Sequence, residues 1–173
     1  MHNYFLKILS SFIIFVSLTG CSGWQLRGID SLDEEKLSAY IDGRRVPSLT
    51  SALRAAFIAR GITVTSNSKD AKILVSILSG DFKSRVLSLD PGSGKVKELE
   101  IQLSSEVVVR SKKNGLLMPR QTIRLQRDYF FDELAAEFTT MRSEIIERDL
   151  AKDWAFAVVY RAVTSLKKNN KND

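Results

Sequence analysis

Histidine and cysteine are almost absent from this sequence, which excludes most nucleophilic and metal-dependent chemistry. Its 173 residues contain one histidine, His2, and one cysteine, Cys21. If the first twenty residues are removed, the mature protein keeps one cysteine and no histidine. A Ser–His–Asp triad, a Cys–His dyad, a histidine-bound zinc and a CxxC redox pair are then impossible. These four kinds of site are therefore excluded, and no metal site or cofactor is expected.

Glycine and proline are also scarce. Nine glycines and three prolines exclude collagen-like and low-complexity architectures. The rest of the composition, 44% hydrophobic and 27% charged, is that of an ordinary packed protein. The length fits one domain.

No hydrophobic run is long enough to remain as an ordinary membrane span. The apolar stretch from Ile8 to Leu18 follows Lys7 and is shorter than the roughly 20 residues that a spanning helix needs. It ends in Leu18-Thr19-Gly20-Cys21, which resembles the lipobox cut by bacterial lipoprotein signal peptidase. The alternatives are a secretory signal with an incidental cysteine, or an N-terminal anchor. The position of the single cysteine favours the lipoprotein.

Cleavage before Cys21 would divide the N-terminal region into a signal peptide, residues 1–20, and a lipidated linker, residues 21–36. Each buried methylene of an acyl chain contributes about 0.8 kcal/mol, so several chains would hold the protein on a membrane. Ser22 follows the cysteine where, in Gram-negative sorting, an aspartate would retain the protein at the inner membrane. The predicted location is therefore the periplasmic side of the outer membrane.

The charge balance indicates an acidic partner. The chain has 26 Lys and Arg against 20 Asp and Glu, and loss of Lys7 with the signal peptide leaves a net charge of +5. Nucleic acid is not present in the periplasm, so it is not an expected partner. Anionic lipid, phosphorylated glycolipid and peptidoglycan are the candidates. A merely soluble, slightly basic surface explains the charge equally well.

The first part of the predicted domain combines strands with one helix. Residues 37–41 alternate as a strand, and Asp42-Gly43 closes it. From Ser48 to Arg60 apolar side chains recur at helical spacing, with Gly61 as the stop signal. Residues 72–80 are apolar on both faces, which is typical of a central or doubly covered strand.

Two turn signals divide the next region into antiparallel strands. The first is the segment 90–94 (DPGSG), and the second is Asn114-Gly115. Between them, apolar residues at odd positions are Leu99, Ile101, Leu103, Val107 and Val109, and polar residues at even positions are Glu98, Glu100, Gln102, Ser104 and Glu106. This alternation indicates a strand with one exposed face. Apolar residues on the returning strand are Ile123, Leu125, Tyr129 and Phe131.

The chain ends in a long helix pattern without glycine or proline, from about Glu133 to Leu166. Residues 167–173 are predicted to form a disordered basic tail. The fold class is therefore α+β, with a single domain over residues 37–166. We expect a two-layer sandwich in β-α-β-β-β-α order, with a mostly antiparallel four-stranded sheet and two helices packed on one face. The predicted apolar stripe of the last helix contains Ile145, Leu150, Trp154, Val158, Ala162 and Leu166.

Several segments together resemble the LPS-assembly lipoproteins of the LptE family, where LPS is lipopolysaccharide. The segment 23–27 (GWQLR) after the lipobox is similar to the opening of that family, and Leu49 to Gly61 is similar to its first helix. The segment 127–132 (RDYFFD), before the terminal helix, resembles its Arg–aromatic–Asp segment. The resemblance covers essentially the whole mature chain and depends on the arrangement of these segments.

The resemblance implies a protein that is not an enzyme. LptE proteins plug a large outer-membrane β-barrel, the LptD-like LPS-assembly protein, and bind LPS for insertion into the outer leaflet. Lys and Arg bind the phosphates of LPS through charge-assisted hydrogen bonds. In the family, a basic residue near the first hairpin tip and another on the returning strand are implicated. Segment 90–94 lacks that arginine, so the predicted LPS-binding residues here are Lys95 and Arg124, with Arg85, Lys97 and Arg127.

Two other functions remain open. The first is a structural or peptidoglycan-associated envelope lipoprotein without a barrel partner. The second is a carboxylate-dependent enzyme, since Glu98, Glu100 and Glu106 share a strand face. Neighbours on one face do not form the pair that glycoside hydrolysis places across a cleft. These three glutamates are therefore expected to be solvated charges.

Overall fold

The computed structural model describes residues 37–130 and 136–170, without the side chains of 136–141 and 170. The predicted signal peptide, the linker and its lipidated Cys21 lie outside the described residues, as does Phe131. No helix in the part of the chain that the structure describes is long and apolar enough to cross a membrane. The elements are β1 Ser38–Asp42, α1 Pro47–Ala59, β2 Thr63–Val64, β3 Ile73–Leu89, β4 Val96–Ser111, β5 Gly115–Phe130 and α2 Ala136–Asn170.

The sheet has five strands in the order β2-β1-β3-β4-β5 and is mixed. Strand β1 runs parallel to β2 and β3, whereas β3–β4 and β4–β5 pair antiparallel. The α+β class is confirmed, but the prediction of a four-stranded sheet in β-α-β-β-β-α order is wrong. It missed β2, because Thr63–Val64 is too short to show any alternation. Its pairing with β1 arises from the tertiary fold.

Helix α1 packs the stripe that the sequence predicts. Pro47 occupies its first turn, where the missing N–H has no intrahelical partner. Leu53 and Phe57 are fully buried, and Gly61, with φ of 78°, follows the helix end. Leu49 lies against the backbone of Gly80 so closely that a Cβ there would come within 2.5 Å of Leu49 Cδ1.

Helix α2 packs against α1, β4 and β5. Its predicted apolar residues from Leu150 to Leu166 are buried, but Ile145 is 46% exposed and Ile146 is buried instead. The helix continues past Leu166 to Asn170, into the segment predicted as a tail. It runs opposite to β5, because Arg142 contacts Phe130 at one end of that strand and Arg161 contacts Gln121 nearer the other.

The sheet has a covered face, against the helices, and an open face. On β4 the odd residues from Ile101 to Ser111 are buried on the covered face, and the even residues lie on the open face. An irregularity between Ile77 and Ser79 changes the pattern along β3. Ile77 faces the helices, whereas Lys83 and Arg85 pair with open-face residues.

Strands β3 and β4 continue beyond the well-packed part of the sheet as a hairpin extension, residues 83–97. None of these residues is buried, and Val86 and Leu89 are 50% and 55% exposed. The strands stay paired as far as Leu89 and Val96, with irregularities between Val86 and Ser88 and between Ser88 and Leu89. The extension therefore presents both of its faces to the surroundings.

Candidate functional site

The five basic residues predicted to bind LPS fall into three separate places. Lys95 and Lys97 lie at the tip of the hairpin extension, and both are exposed. Arg85 and Arg124 lie on the open face, opposite Glu100 and Ser104 of β4. Arg127 lies on the covered face, because it pairs with the buried Ile101.

The tip is a hydrogen-bonded turn organised by Asp90. Its Oδ1 accepts hydrogen bonds from the backbone N–H of Ser93 (2.8 Å), the Ser93 hydroxyl (2.9 Å) and the Gly92 N–H (3.0 Å). These bonds, led by that from the Ser93 N–H, lower the pKa of Asp90, and the charge of Lys97 adds to the effect. The Asp90 N–H donates to the Lys95 carbonyl over 2.7 Å, which closes the turn. Lys95 and Lys97 therefore follow a turn whose backbone is fixed by these hydrogen bonds.

Arg85 covers a buried carboxylate. Its Nε donates to Glu100 Oε1 over 2.6 Å, and its Nη2 donates to Oε2 over 3.3 Å. The hydrogen bond and the negative charge of Glu100 raise the pKa of Arg85. Glu100 is 2% exposed, so the prediction that it is a solvated charge is wrong. Arg85 lies over it, while the Arg85 side chain itself stays 67% exposed. The main partner of the Arg85 guanidinium is therefore the Glu100 carboxylate.

Arg124, on the edge strand β5, belongs to a polar patch on the open face. Within the described residues, Arg124 has no hydrogen bond or ion pair. Across the sheet, Arg124 pairs with Ser104 of β4, and Ser104 pairs with Asp81 of β3. Lys83 lies in the adjacent row and makes a long, exposed ion pair with Asp81 at 3.6 Å. Lys83 is not among the five residues predicted to bind LPS. Its odd number matches that of the buried Ile77, and only the irregularity after Ile77 places it on the open face.

Arg127 joins β5 to α2. Its Nη1 lies 3.2 Å from Asp149 Oδ2, and its Nη2 lies 2.9 Å from Asp153 Oδ2. The two aspartates are one helical turn apart, so one guanidinium spans both. We therefore assign Arg127 to the packing of α2, separate from the open face that carries Arg124.

The tip and the open-face patch are far apart. Nine residues separate Lys95 from Ser104 along β4, which corresponds to roughly 30 Å at about 3.3 Å per residue. Lys95 and Arg124 therefore cannot bind the same phosphate. They form two cationic positions along one elongated surface.

The three glutamates of β4 are engaged by neighbours. Glu98 accepts a hydrogen bond from Ser88 (2.9 Å), and Glu106 pairs with Arg120 (2.6 Å). The residues that the structure describes contain no cluster of three acidic, histidine or cysteine side chains able to hold a metal ion. None of these observations supports a carboxylate-dependent active site.

A groove of about 730 Å³ lies between α1 and α2. Five alanines contribute to its walls, and its charged residues, among them Glu144 and Glu147, all come from α2. Because both glutamates lie on α2, the described lining of the groove has no pair of carboxylates facing each other from opposite walls. Phe82 and Phe156 complete the apolar lining.

The sequence matches the model of the LptE family, which is described as lipopolysaccharide-assembly, over residues 38–162. The chain belongs to the LptE family. This match confirms the resemblance and extends from β1 through most of α2. A comparison of the sequence with curated proteins found no match.

Three solved structures share the LptE-family fold at low sequence identity. Rare lipoprotein B of Shewanella oneidensis is 18% identical, with a TM-score of 0.60, covering 78% of this chain and 97% of its own. A minor lipoprotein of Acinetobacter baumannii is 16% identical, with a TM-score of 0.59 and coverage of 77% and 93%. Lipoprotein B of Nitrosomonas europaea is 23% identical, with a TM-score of 0.62 and coverage of 75% and 84%.

Proposed function

We propose that the mature chain is a non-catalytic outer-membrane lipoprotein that plugs an LptD-like LPS-assembly β-barrel. Anchored through Cys21 on the periplasmic side, it supports assembly of the barrel and binds LPS for insertion into the outer leaflet. The observation that carries this proposal is the LptE family match over residues 38–162.

The dimensions of the sheet support a plug. Strand β3 has 17 residues and corresponds to roughly 55 Å at about 3.3 Å per residue. A bilayer with its headgroups is about 40–45 Å thick. A domain standing upright in a barrel would therefore reach from one membrane surface to the other, with the hairpin extension at one end.

The proposed LPS-binding residues are Lys95 and Lys97 at the tip, with Lys83 and Arg124 on the open face. LPS carries several anionic groups, so two separated cationic positions suit an extended glycolipid. Arg85 binds LPS through the exposed part of its guanidinium. Arg127 is not included, because it pairs with Asp149 and Asp153.

Purification of the tagged protein from outer membranes in mild detergent tests the partner. We expect an LPS-assembly barrel to co-purify, and mass spectrometry to find an acylated N-terminus at Cys21. Released muropeptides without a barrel would favour the peptidoglycan-associated alternative. An unmodified N-terminus elsewhere would refute the anchor.

A charge-reversal pair tests the LPS site. Lys95→Glu combined with Arg124→Glu should weaken LPS binding, whereas Arg45→Glu with Arg54→Glu, two exposed positions away from the site, should not. Binding should weaken with salt. It should be nearly flat between pH 6 and 8, because the only histidine is His2 of the signal peptide. Barrel association should survive. Unchanged LPS binding would remove both residues from the site, and loss of the barrel as well would make them plug contacts.

A further inference from the structure

The end of the sheet opposite the hairpin extension gathers several separate basic segments. The β4–β5 turn lies beside the start of β3, because the Lys112 N–H donates to the Lys72 carbonyl over 3.1 Å. The Lys112 ammonium donates to the Lys69 carbonyl. Lys113 follows Lys112 on the same turn, and Arg110 lies just before the turn, near the end of β4. Two separate segments that carry these lysines and Arg110 thus meet at one place in the fold.

Both helices also end at this place. Helix α2 runs from the Phe130 end of β5 toward its beginning, which brings Lys167 and Lys168 of its last turn to the same end. Helix α1 ends at Ala59, and Arg60 leads back to β2 beside the start of β1. Cations in the last turn of a helix are also favoured by its dipole.

We call this surface the basic end. Asp70 is the one carboxylate that the described residues place there. In the hairpin extension, by contrast, Asp90 lies in the turn that carries Lys95, and Arg85 pairs with Glu100. The basic end comprises eight cationic residues, Arg60, Lys69, Lys72, Arg110, Lys112, Lys113, Lys167 and Lys168.

The chain enters the domain at the basic end. The Leu37 carbonyl accepts from Thr63 N–H over 3.1 Å, and the Ser38 carbonyl accepts from Lys72 N–H over 3.0 Å. The linker that precedes residue 37 therefore joins the domain beside these lysines. With the lipid on Cys21, sixteen residues upstream, a fully extended linker spans at most roughly 55 Å. The linker therefore keeps the basic end within this distance of the membrane surface that holds the lipid.

We propose that the basic end docks on an anionic phospholipid bilayer, the periplasmic surface of the membrane in which Cys21 is anchored. The docking rests on the lipidation in the proposed function, but it is independent of the LPS site. Each basic residue close to an anionic membrane surface increases partitioning about fivefold. The tether raises the local concentration of the domain at that surface. Docking there directs the hairpin extension away from the anchored surface.

Vesicle co-sedimentation of the mature chain, residues 21–173, produced without lipid, tests the docking surface. All described elements lie within residues 37–170, so this chain contains the whole described domain. We expect binding to vesicles containing phosphatidylglycerol, little binding to phosphatidylcholine alone, and a decrease with salt. Lys69→Glu, Lys113→Glu and Lys168→Glu together should reduce partitioning more than a hundredfold, at about fivefold per residue.

The matched control carries the same change of charge elsewhere. Arg45→Glu, Arg54→Glu and Lys152→Glu are exposed positions outside the basic end, and this triple variant should keep most of the binding. Circular dichroism melts should show that both variants are folded. Equal losses in the two variants, or no binding to anionic vesicles, would overturn the proposal. So would a basic-end variant that loses only binding to LPS micelles or to the barrel. Lipidation of Cys21 and LPS binding that depends on Lys95 and Arg124 would then leave the proposed function standing.

Discussion

Strands β3 and β4 pass through two different environments while they stay paired with each other. In the region packed by helices, Leu103 and Val107 are fully buried. In the hairpin extension, Val86 and Leu89 of the same ladder are at least half exposed. Burial of apolar surface is the dominant stabilising term, so stability is concentrated in the covered region. The extension adds pairing but little packing, which leaves its side chains available for binding.

The largest effect should come from charges introduced into the covered region. Leu103→Asp, and equally Leu53→Asp, should unfold the domain, because burying a charge costs several kcal/mol, about the stability of a domain. The control is Leu89→Asp in the extension, where the new carboxylate meets solvent. Urea unfolding of the three variants measures the difference. Similar destabilisation at Leu89 and Leu103 would mean that the extension is part of the core.

The covered region was also the easier of the two regions to predict from sequence. The odd positions of β4 and the stripe of α1 alternate with the periods of a strand and a helix, so local sequence identifies their buried faces. The parallel pairing of β1 with β3 has no such local signal. Nor does the burial of Glu100, which depends on the register that brings Arg85 beside it.

A methyl group added beneath α1 should have the second-largest effect. The Cβ of Gly80→Ala would lie 2.5 Å from Leu49 Cδ1, so Leu49 must move within a packed interface. Overpacking of this kind costs about 1–3 kcal/mol. At Gly92, in the extension, the same substitution meets only Asp90 Oδ1 at 3.5 Å and should cost less. Combining Gly80→Ala with Leu49→Ala should destabilise by less than the sum of the two, as thermal melts can show. Additive losses would disprove the contact.

The two arginines of β5 provide a matched pair across the sheet. Arg127→Ala should destabilise the domain by about 1 kcal/mol, since it breaks two half-exposed ion pairs with α2. Arg124→Ala should leave the melting temperature unchanged but weaken LPS binding. Thermal melts and LPS binding of both variants separate the roles. An Arg127→Ala variant that melts normally and fails to bind LPS would reverse our assignment.

This division between the arginines was partly readable in the sequence. Arg127 has the same odd parity as Ile123, Leu125 and Tyr129, which places it on the covered face. The matching aspartates could not be found in that way. Asp149 and Asp153 become partners only when α2 lies along β5, and that contact is set by packing rather than by spacing along the chain.

The smallest effect concerns acid stability at the tip of the extension. Because the folded pKa of Asp90 lies below its ordinary 3.8, its ionised form stabilises the turn fully above that value. This contribution is lost as the pH falls through the lowered pKa, where the folded state takes up the proton. Asp90→Asn does not titrate, so the wild type should lose stability relative to this variant on acidification below about pH 4. Urea unfolding of both proteins at a series of acidic pH values measures the change. Parallel pH profiles would show that the turn bonds of Asp90 do not couple to folding, and the extension would then be independent of the covered region.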